Sequence, residues 1–262
     1  LGPYTKKDVV DFFSDYGSRF LGKRVVVARD TPAFIGNRIG IFSIQSLFHR
    51  VKALKMTVEE VDKLTGPVIG RPKSATFRTV DVVGLDTLVH VANGIKEHCP
   101  DDERHEVFQL PSFIEDMMQQ NRLGSKTGEG FYKKVKKEDG SSEILTLDLE
   151  TLTYRSAKKA QFETLEKTKA ISDVADRFKV LCDGTDKAGQ FYRAVFGDLF
   201  AYVAQRIGEI TDTVYKIDDA MKAGFGWQHG RFEIWSALGL EYGIALAEAE
   251  ERKLPQWIYD LK

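Results

Sequence analysis

Charge of one sign, cysteine and long apolar runs are all scarce in this sequence, and each shortage removes a class of protein. Lysine and arginine number 38 against 39 aspartates and glutamates, a formal charge of -1. No electrostatic excess therefore draws the chain to nucleic acid or to an anionic membrane surface. The two cysteines, Cys99 and Cys182, stand far apart without metal-ligand spacing, which predicts reduced thiols and no disulfide framework. No apolar run approaches the ~20 residues needed to cross a bilayer, and Leu1, Gly2, Pro3 and Tyr4 carry neither part of a leader, so a cytoplasmic protein without a membrane span is expected. The GxSxG, GxGxxG, CxxC and HExxH patterns are missing too, and no metal site is predicted. What is present, 42% hydrophobic and 29% charged residues over 262 positions, is globular composition with room for one large or two small domains.

Thr5 to Phe20 reads as an amphipathic helix, with Val9, Phe12, Phe13 and Tyr16 at three- and four-residue steps. Val25, Val26 and Val27 then predict a strand over Arg24 to Ala28, of the kind buried on both faces of a parallel sheet. One strand makes no sheet. The pair therefore reads as the tail of an α/β unit whose earlier strands lie outside this sequence, and the chain as a fragment.

From there the pattern is helical. Thr31 as cap and Pro32 at the first position open a helix whose stripe is Ile41, Ile44, Leu47, Phe48, Val51 and Leu54. Ile35, Ile39 and Phe42 widen the apolar surface, so this helix is expected at the centre of its domain. Thr57 and Glu60 form a capping box for Val58 to Leu64. A further helix covers Ala75 to Glu97 with an interruption at Gly84, and Pro100 ends it. Lys133 to Glu150, with Asp139-Gly140 in its middle, reads as a small β-hairpin. Helix is predicted again from Ala157, with Tyr192, Phe196, Leu199, Val203, Ile207 and Ile210 on one face.

The chain repeats itself at an offset of 156 residues: Thr57-Val58-Glu59-Glu60-Val61-Asp62 lines up with Thr213-Val214-Tyr215-Lys216-Ile217-Asp218, and Gly70 with Gly226. After a one-residue shift, Phe77, Gly84, Leu85 and Asp86 meet Phe232, Gly239, Leu240 and Glu241. Two copies with surplus apolar face would most economically pair as an internal pseudo-dimer. The carboxylates Asp62, Asp81, Asp86 and Asp218 recur with the repeat, which argues for capping and packing.

Asn37 lies just after the strand-to-helix junction, where open α/β sheets bind ligands, and its amide both donates and accepts. It reads equally as a side chain bonded to nearby backbone near a helix start. The repeat places Arg193 opposite it, so the second copy does not share its role. Gly124-Ser125-Lys126-Thr127-Gly128-Glu129-Gly130-Phe131-Tyr132 is no Walker A loop. Lys126 there could steady an anion, or the segment could be a turn packed under its neighbour. His49, His90, His98, His105 and His229 read as structural or surface residues.

Asp30-Thr31-Pro32-Ala33-Phe34-Ile35-Gly36-Asn37-Arg38, Asp81-Val82-Val83-Gly84-Leu85-Asp86 and Lys126-Thr127-Gly128-Glu129-Gly130-Phe131-Tyr132 together resemble the C-terminal region of 3-hydroxyacyl-CoA dehydrogenases. The second copy, through Gly224-Phe225-Gly226-Trp227 to Arg231-Phe232-Glu233-Ile234-Trp235, resembles the additional C-terminal domain of multifunctional fatty-acid oxidation proteins. The resemblance implies a mainly α fold: tandem helical domains like the C-terminus of 6-phosphogluconate dehydrogenase, preceded by the last helix and strand of a Rossmann domain. It implies a remnant over 1–30, a first domain over 31–135, hairpin and linker over 136–186 and a degenerate second domain over 187–262. It further implies an NAD-dependent oxidoreductase of fatty-acid β-oxidation acting on acyl-CoA, with the cofactor loop, catalytic histidine and orienting glutamate upstream of Leu1 in the chain's own N-terminal Rossmann domain. An enoyl-CoA hydratase module in the same polypeptide belongs to that picture. By the same resemblance, Asn37 reaches the substrate's 3-oxygen beside the histidine, and Lys126 approaches the cofactor. The fragment alone is expected to be inactive. Two departures, Ala33-Phe34 and the Gly66 to Phe77 connection, bear on acyl-chain preference. The rival expectations are a non-catalytic helical assembly module and a β-hydroxyacid dehydrogenase acting on free acids.

Overall fold

A computed structural model describes Gly2 and residues 4–262; Leu1 and Pro3, part of the opening read above for a leader, lie outside the described residues. The chain divides into two compact units, one of Leu1–Gly40 with Phe196–Lys262 and one of Ile41–Val195.

The first unit opens with α1 (Lys7–Asp15), which runs on as a π-helical turn over Tyr16–Phe20, as the aromatic spacing predicts. The valine segment is assigned to no strand among the described residues, and the partner strands of the Rossmann-strand expectation are not among them. Residues 23–29 form no regular element and pair with no other strand, because a ladder needs a neighbour and none is present among the described residues. The segment is held by side-chain and backbone bonds instead: Arg24 pairs with Asp219 at 3.3 Å, and the Arg29 N–H donates to the Ile210 carbonyl at 3.0 Å.

The central helix, α2 (Gly36–Ala53), starts four residues later than the Thr31-Pro32 signal predicts. Ala33 and Phe34 adopt left-handed backbone (φ 64° and 49°), which a right-handed helix cannot contain, so 31–34 is a turn closed by Phe34 N–H on the Thr31 carbonyl. Five residues of α2 belong to the first unit and the rest to the second.

The second unit continues with α3 (Val58–Thr65), α4 (Phe77–Val83), α5 (Leu85–His98) and α6 (Ser112–Gln119). The Thr57–Glu60 capping box is formed in both directions. Gly84, at φ 104°, breaks α4 from α5 where the sequence places the interruption. The hairpin is β1 (Tyr132–Lys136) with β2 (Ser142–Leu147), antiparallel, and a third strand β3 (Tyr154–Ser156), too short to carry a periodic signal, extends it to the order β1-β2-β3. Helix does not resume at Ala157. Glu59 accepts the Lys158 N–H at 2.8 Å and takes Arg155 in a two-bonded ion pair, and 157–162 form no regular element. α7 (Glu163–Thr168), α8 (Val174–Cys182) and α9 (Lys187–Gln205) follow. A cluster of Phe48, Phe77, Phe113 and Phe131, with Phe77 and Phe131 centroids 4.5 Å apart, forms the heart of this unit's core.

α9 re-enters the first unit at Phe196 and ends at Gln205, so Ile207 and Ile210 leave the predicted stripe; Gly208, at φ 90°, turns the chain there. α10 (Val214–Phe225), α11 (Arg231–Leu238), α12 (Leu240–Ala249) and α13 (Gln256–Tyr259) complete it.

The repeat pairs Gly40 with Phe196, and the chain divides at these two points. Each unit thus takes the opening turns of the other copy's long helix. In the first, Arg38 is fully buried, its Nε donating to Tyr202 Oη at 2.7 Å and its guanidinium pairing with Glu209 at 3.1 Å. In the second, Tyr192 Oη donates to the Leu64 carbonyl at 2.7 Å and Lys187 pairs with Glu60 at 3.2 Å.

Candidate functional site

The fold fixes Asn37 through its neighbour. With Arg38 anchored inward on Tyr202 and Glu209, the residue one position earlier, about 100° round the helix, is turned outward. Asn37 is exposed in the first turn of α2, and its amide makes no hydrogen bond among the described residues. It is therefore not spent on capping backbone. Arg193, its counterpart in the repeat, donates to the Cys182 and Gly184 carbonyls at 2.5 and 2.7 Å and closes the turn between α8 and α9.

Lys126 belongs to the other unit, on a 3-10 turn over Ser125–Thr127. The glycine-rich segment around it packs under α4. Asp81, on α4, is buried and accepts the Phe131 and Tyr132 N–H groups at 2.8 and 2.9 Å. Gly124 and Gly130 lie against Asp81 with no room for a Cβ. Thr127 Oγ1 accepts the Leu123 N–H at 3.0 Å and reaches the Glu129 carbonyl at 3.0 Å, closing the loop on itself. The turn reading of this segment thus holds for its backbone, while the lysine side chain leaves it: Lys126 Nζ pairs with Asp86 in the first turn of α5. The hydrogen bond from Lys126 holds the Asp86 carboxyl below the usual carboxylate range. Side-chain-free Gly84 leaves space for this close approach. The sequence shows Asp86 as a repeated acid and as the end of the Asp81–Asp86 motif but gives it no partner; its position two residues past the helix-breaking glycine was the available signal.

The other acids serve the fold. Asp62 accepts three backbone N–H groups at the start of α4, from Thr76, Phe77 and Arg78, and the Tyr132 hydroxyl. Asp218 accepts those of Phe232 and Glu233 at the start of α11. Burial pushes the Asp62, Asp81 and Asp218 carboxyls up to about 6, against the pull of these donors. Of the histidines, His49 contacts the Val107 and Gln109 carbonyls, His105 contacts the Cys99 carbonyl, and His90 and His98 are exposed.

The described residues form no Rossmann-type dinucleotide crevice by themselves: their strands are antiparallel, so the crevice beyond the carboxyl ends of parallel strands is not formed, and Lys126 is paired with Asp86. No helix among these residues is long and apolar enough to cross a membrane.

Against known proteins, residues 34–134 match the family model "3-hydroxyacyl-CoA dehydrogenase, C-terminal domain". A Bacillus subtilis (strain 168) protein named as a probable 3-hydroxyacyl-CoA dehydrogenase is 42% identical over 257 residues, 98% of this chain and 32% of the relative. A Rickettsia prowazekii protein named as a candidate fatty acid oxidation complex trifunctional enzyme is 23% identical over 95% of this chain and 33% of its own length. The pig mitochondrial hydroxyacyl-coenzyme A dehydrogenase is 34% identical over 134 residues, 50% of this chain and 40% of that protein. The crystal structure of Escherichia coli K12 3-hydroxybutyryl-CoA dehydrogenase superposes with a TM-score of 0.67 at 17% identity, covering 100% of this chain and 66% of that one, a likeness of fold. The chain spans about a third of the length of the first two relatives.

Proposed function

We propose, from the premise that residues 34–134 belong to the 3-hydroxyacyl-CoA dehydrogenase C-terminal domain family, that this chain is the C-terminal part of an NAD-dependent 3-hydroxyacyl-CoA dehydrogenase of fatty-acid β-oxidation. NAD would be held by a dinucleotide-binding domain outside these residues and would supply the hydride acceptor for oxidation of a 3-hydroxyacyl-CoA. The observation that carries the reading is Asn37: an exposed amide without a partner, inside the matched segment, on a helix start locked by the buried Arg38. A positioned amide donor at the substrate's 3-oxygen stabilises the charge that develops there and holds the reacting geometry. Lys126, steadied by Asp86, is assigned a supporting place near the cofactor.

In this reading the two copies are tandem helical domains over 31–135 and 187–262, paired within the chain. The support is positional: Asp62 and Asp218 accept the first N–H groups of equivalent helices, and Gly84 and Gly239 break the helices that follow. Arg193 in place of Asn37 makes the second copy degenerate. The similarity to a protein named as trifunctional favours a hydratase module in the same polypeptide, and the cytoplasm as location goes with that assignment.

The test is NADH oxidation with acetoacetyl-CoA by the full-length polypeptide, by its Asn37→Ala variant and by the 262-residue chain. Turnover by the full length, a loss of about tenfold or more in kcat/KM in the variant, and an inactive 262-residue chain are expected. Unchanged turnover in the variant would make this an assembly module, and equal turnover of free acetoacetate would move the assignment to free hydroxyacids.

A further inference from the structure

A cleft of about 1050 Å³ opens in the Ile41–Val195 unit, and of the residues considered above only Asp62 lines it. Its lining includes apolar Val68 and the buried Phe162. Around it stand Lys63 of α3, Lys73 of the loop before α4, Lys159 of the irregular segment before α7, and Arg177 of α8. The three lysines are exposed and make no ion pair or hydrogen bond among the described residues.

The acids of the cleft are already engaged. Glu163 pairs with Lys167, Glu166 with Lys169, and Asp62 holds the start of α4. Nor is the placement of Lys159 accidental. On one side Glu59 clamps Arg155 and the Lys158 N–H; on the other Asp186 takes the Thr164 N–H and hydroxyl at 3.0 and 2.6 Å. Between these clamps the segment stays out of α7 and carries Lys159 to the rim. Arg177 is fixed by its own bonds to the Ile171 and Ser172 carbonyls at 2.8 and 3.1 Å.

Four unneutralised cations converging on one concavity, in a chain of net charge -1, focus an anion there. The volume suits an organic ligand of drug or cofactor size better than an inorganic ion. A lining that joins cations to apolar side chains suits a ligand with a phosphate end and a flat, apolar-faced end. A nucleic-acid strand would want a continuous basic track, which this sequence lacks. We infer that this cleft binds a nucleotide bearing two or more phosphates, the phosphates lying among Lys63, Lys73 and Lys159 and the base on the Val68 and Phe162 side. The inference does not use the dehydrogenase reading and stands or falls apart from it.

The experiment titrates the 262-residue chain with ADP, free coenzyme A and inorganic tripolyphosphate by calorimetry at low salt, with acetylation footprinting of the lysines. Sub-millimolar binding of ADP and coenzyme A is expected, with Lys63, Lys73 and Lys159 protected and tripolyphosphate binding more weakly. Equal affinities would assign the adenosine diphosphate moiety that the two share, and tighter coenzyme A the acyl carrier itself. The triple variant K63Q/K73Q/K159Q, whose replaced side chains have no structural partner, should keep its circular dichroism and lose at least tenfold in affinity. Nucleotide binding that is absent, that is unchanged in the triple variant, or that tripolyphosphate matches would overturn the inference.

Discussion

Replacing Asp62 by alanine should be among the most damaging single changes to the Ile41–Val195 unit, and the repeat supplies its control. The Asp62 carboxylate accepts the N–H groups of Thr76 (3.0 Å), Phe77 (2.7 Å) and Arg78 (3.0 Å) and the Tyr132 hydroxyl (2.8 Å). Thr76 and Phe77 are buried, so their donors find no water in the variant, whereas exposed Arg78 recovers some hydration. An orphaned buried donor costs about 1–3 kcal/mol, which puts Asp62→Ala at about 3–5 kcal/mol. Asp218 accepts only two N–H groups, both at 2.9 Å and both on half-buried residues, so Asp218→Ala should cost about 1–2 kcal/mol. Urea unfolding measures both. With a slope of about 2 kcal/mol/M, Asp62→Ala should lower the circular-dichroism midpoint by roughly 2 M and Asp218→Ala by less than 1 M. All three tryptophans, Trp227, Trp235 and Trp257, lie in the unit that contains Asp218, so their fluorescence reads that unit directly. An Asp62→Ala shift no larger than that of Asp218→Ala would refute the reasoning.

The three buried carboxyls also predict an unusual pH dependence. Asp62, Asp81 and Asp218 titrate at about 6 in the fold, above the unfolded value near 3.9, so the folded state holds their protons more tightly. Their contribution is fully present below the unfolded value and is lost as pH rises through 6. Going from pH 7 to pH 5 should therefore stabilise the chain by about 1 kcal/mol per residue, seen as a higher urea midpoint, with the effect reduced in Asp81→Asn; a midpoint that falls over this range would contradict it. The glycine-rich loop gives a steric test. A Cβ at Gly124, already at φ 106°, would run into the Asp81 backbone, whereas Gly128, at φ 81°, has open space. Gly124→Ala should cost about 3 kcal/mol or more and Gly128→Ala about 1, the backbone strain alone, by thermal or urea unfolding.

How far the sequence could be read depended on whether a feature's cause was local. The Thr57–Glu60 box, the Gly84 break and the Asp139-Gly140 turn are set by residues within a few positions of one another, and each appears where its signal lies. Failures came where a partner decided the outcome. Val25 to Val27 have strand composition without a neighbouring strand, Ala157 to Phe162 are kept out of a helix where Glu59, some hundred residues away, takes the Lys158 N–H, and the three-residue β3 exists only because β2 offers an edge. The start of α2 was misplaced because Thr31-Pro32 is an ordinary helix signal, whereas left-handed Ala33 and Phe34 carry none. For the candidate site, the sequence yielded the residues but not their surroundings. Lys126 was visible as a lone cation in a glycine-rich segment, while its pairing with Asp86 depends on the break at Gly84 bringing α5 to meet it.

Duplication separates the residues that build the fold from those available for chemistry, and the separation can be measured. Acids that recur, Asp62 with Asp218, do the same work in both copies. At the position of Asn37 the copies differ, and so does the use of the side chain: Arg193 is spent on the Cys182 and Gly184 carbonyls, while Asn37 makes no hydrogen bond among the described residues. A side chain without partners contributes little to stability, so Asn37→Ala should leave the urea midpoint within about 0.5 kcal/mol of the parent while lowering turnover in the full-length polypeptide. Arg193→Asn should do the reverse, losing two hydrogen bonds from a charged donor, about 2–4 kcal/mol, with kcat/KM unchanged at temperatures where the variant is folded. If Asn37→Ala instead destabilises as much as Arg193→Asn, its amide belongs to the fold and the catalytic assignment loses its carrier.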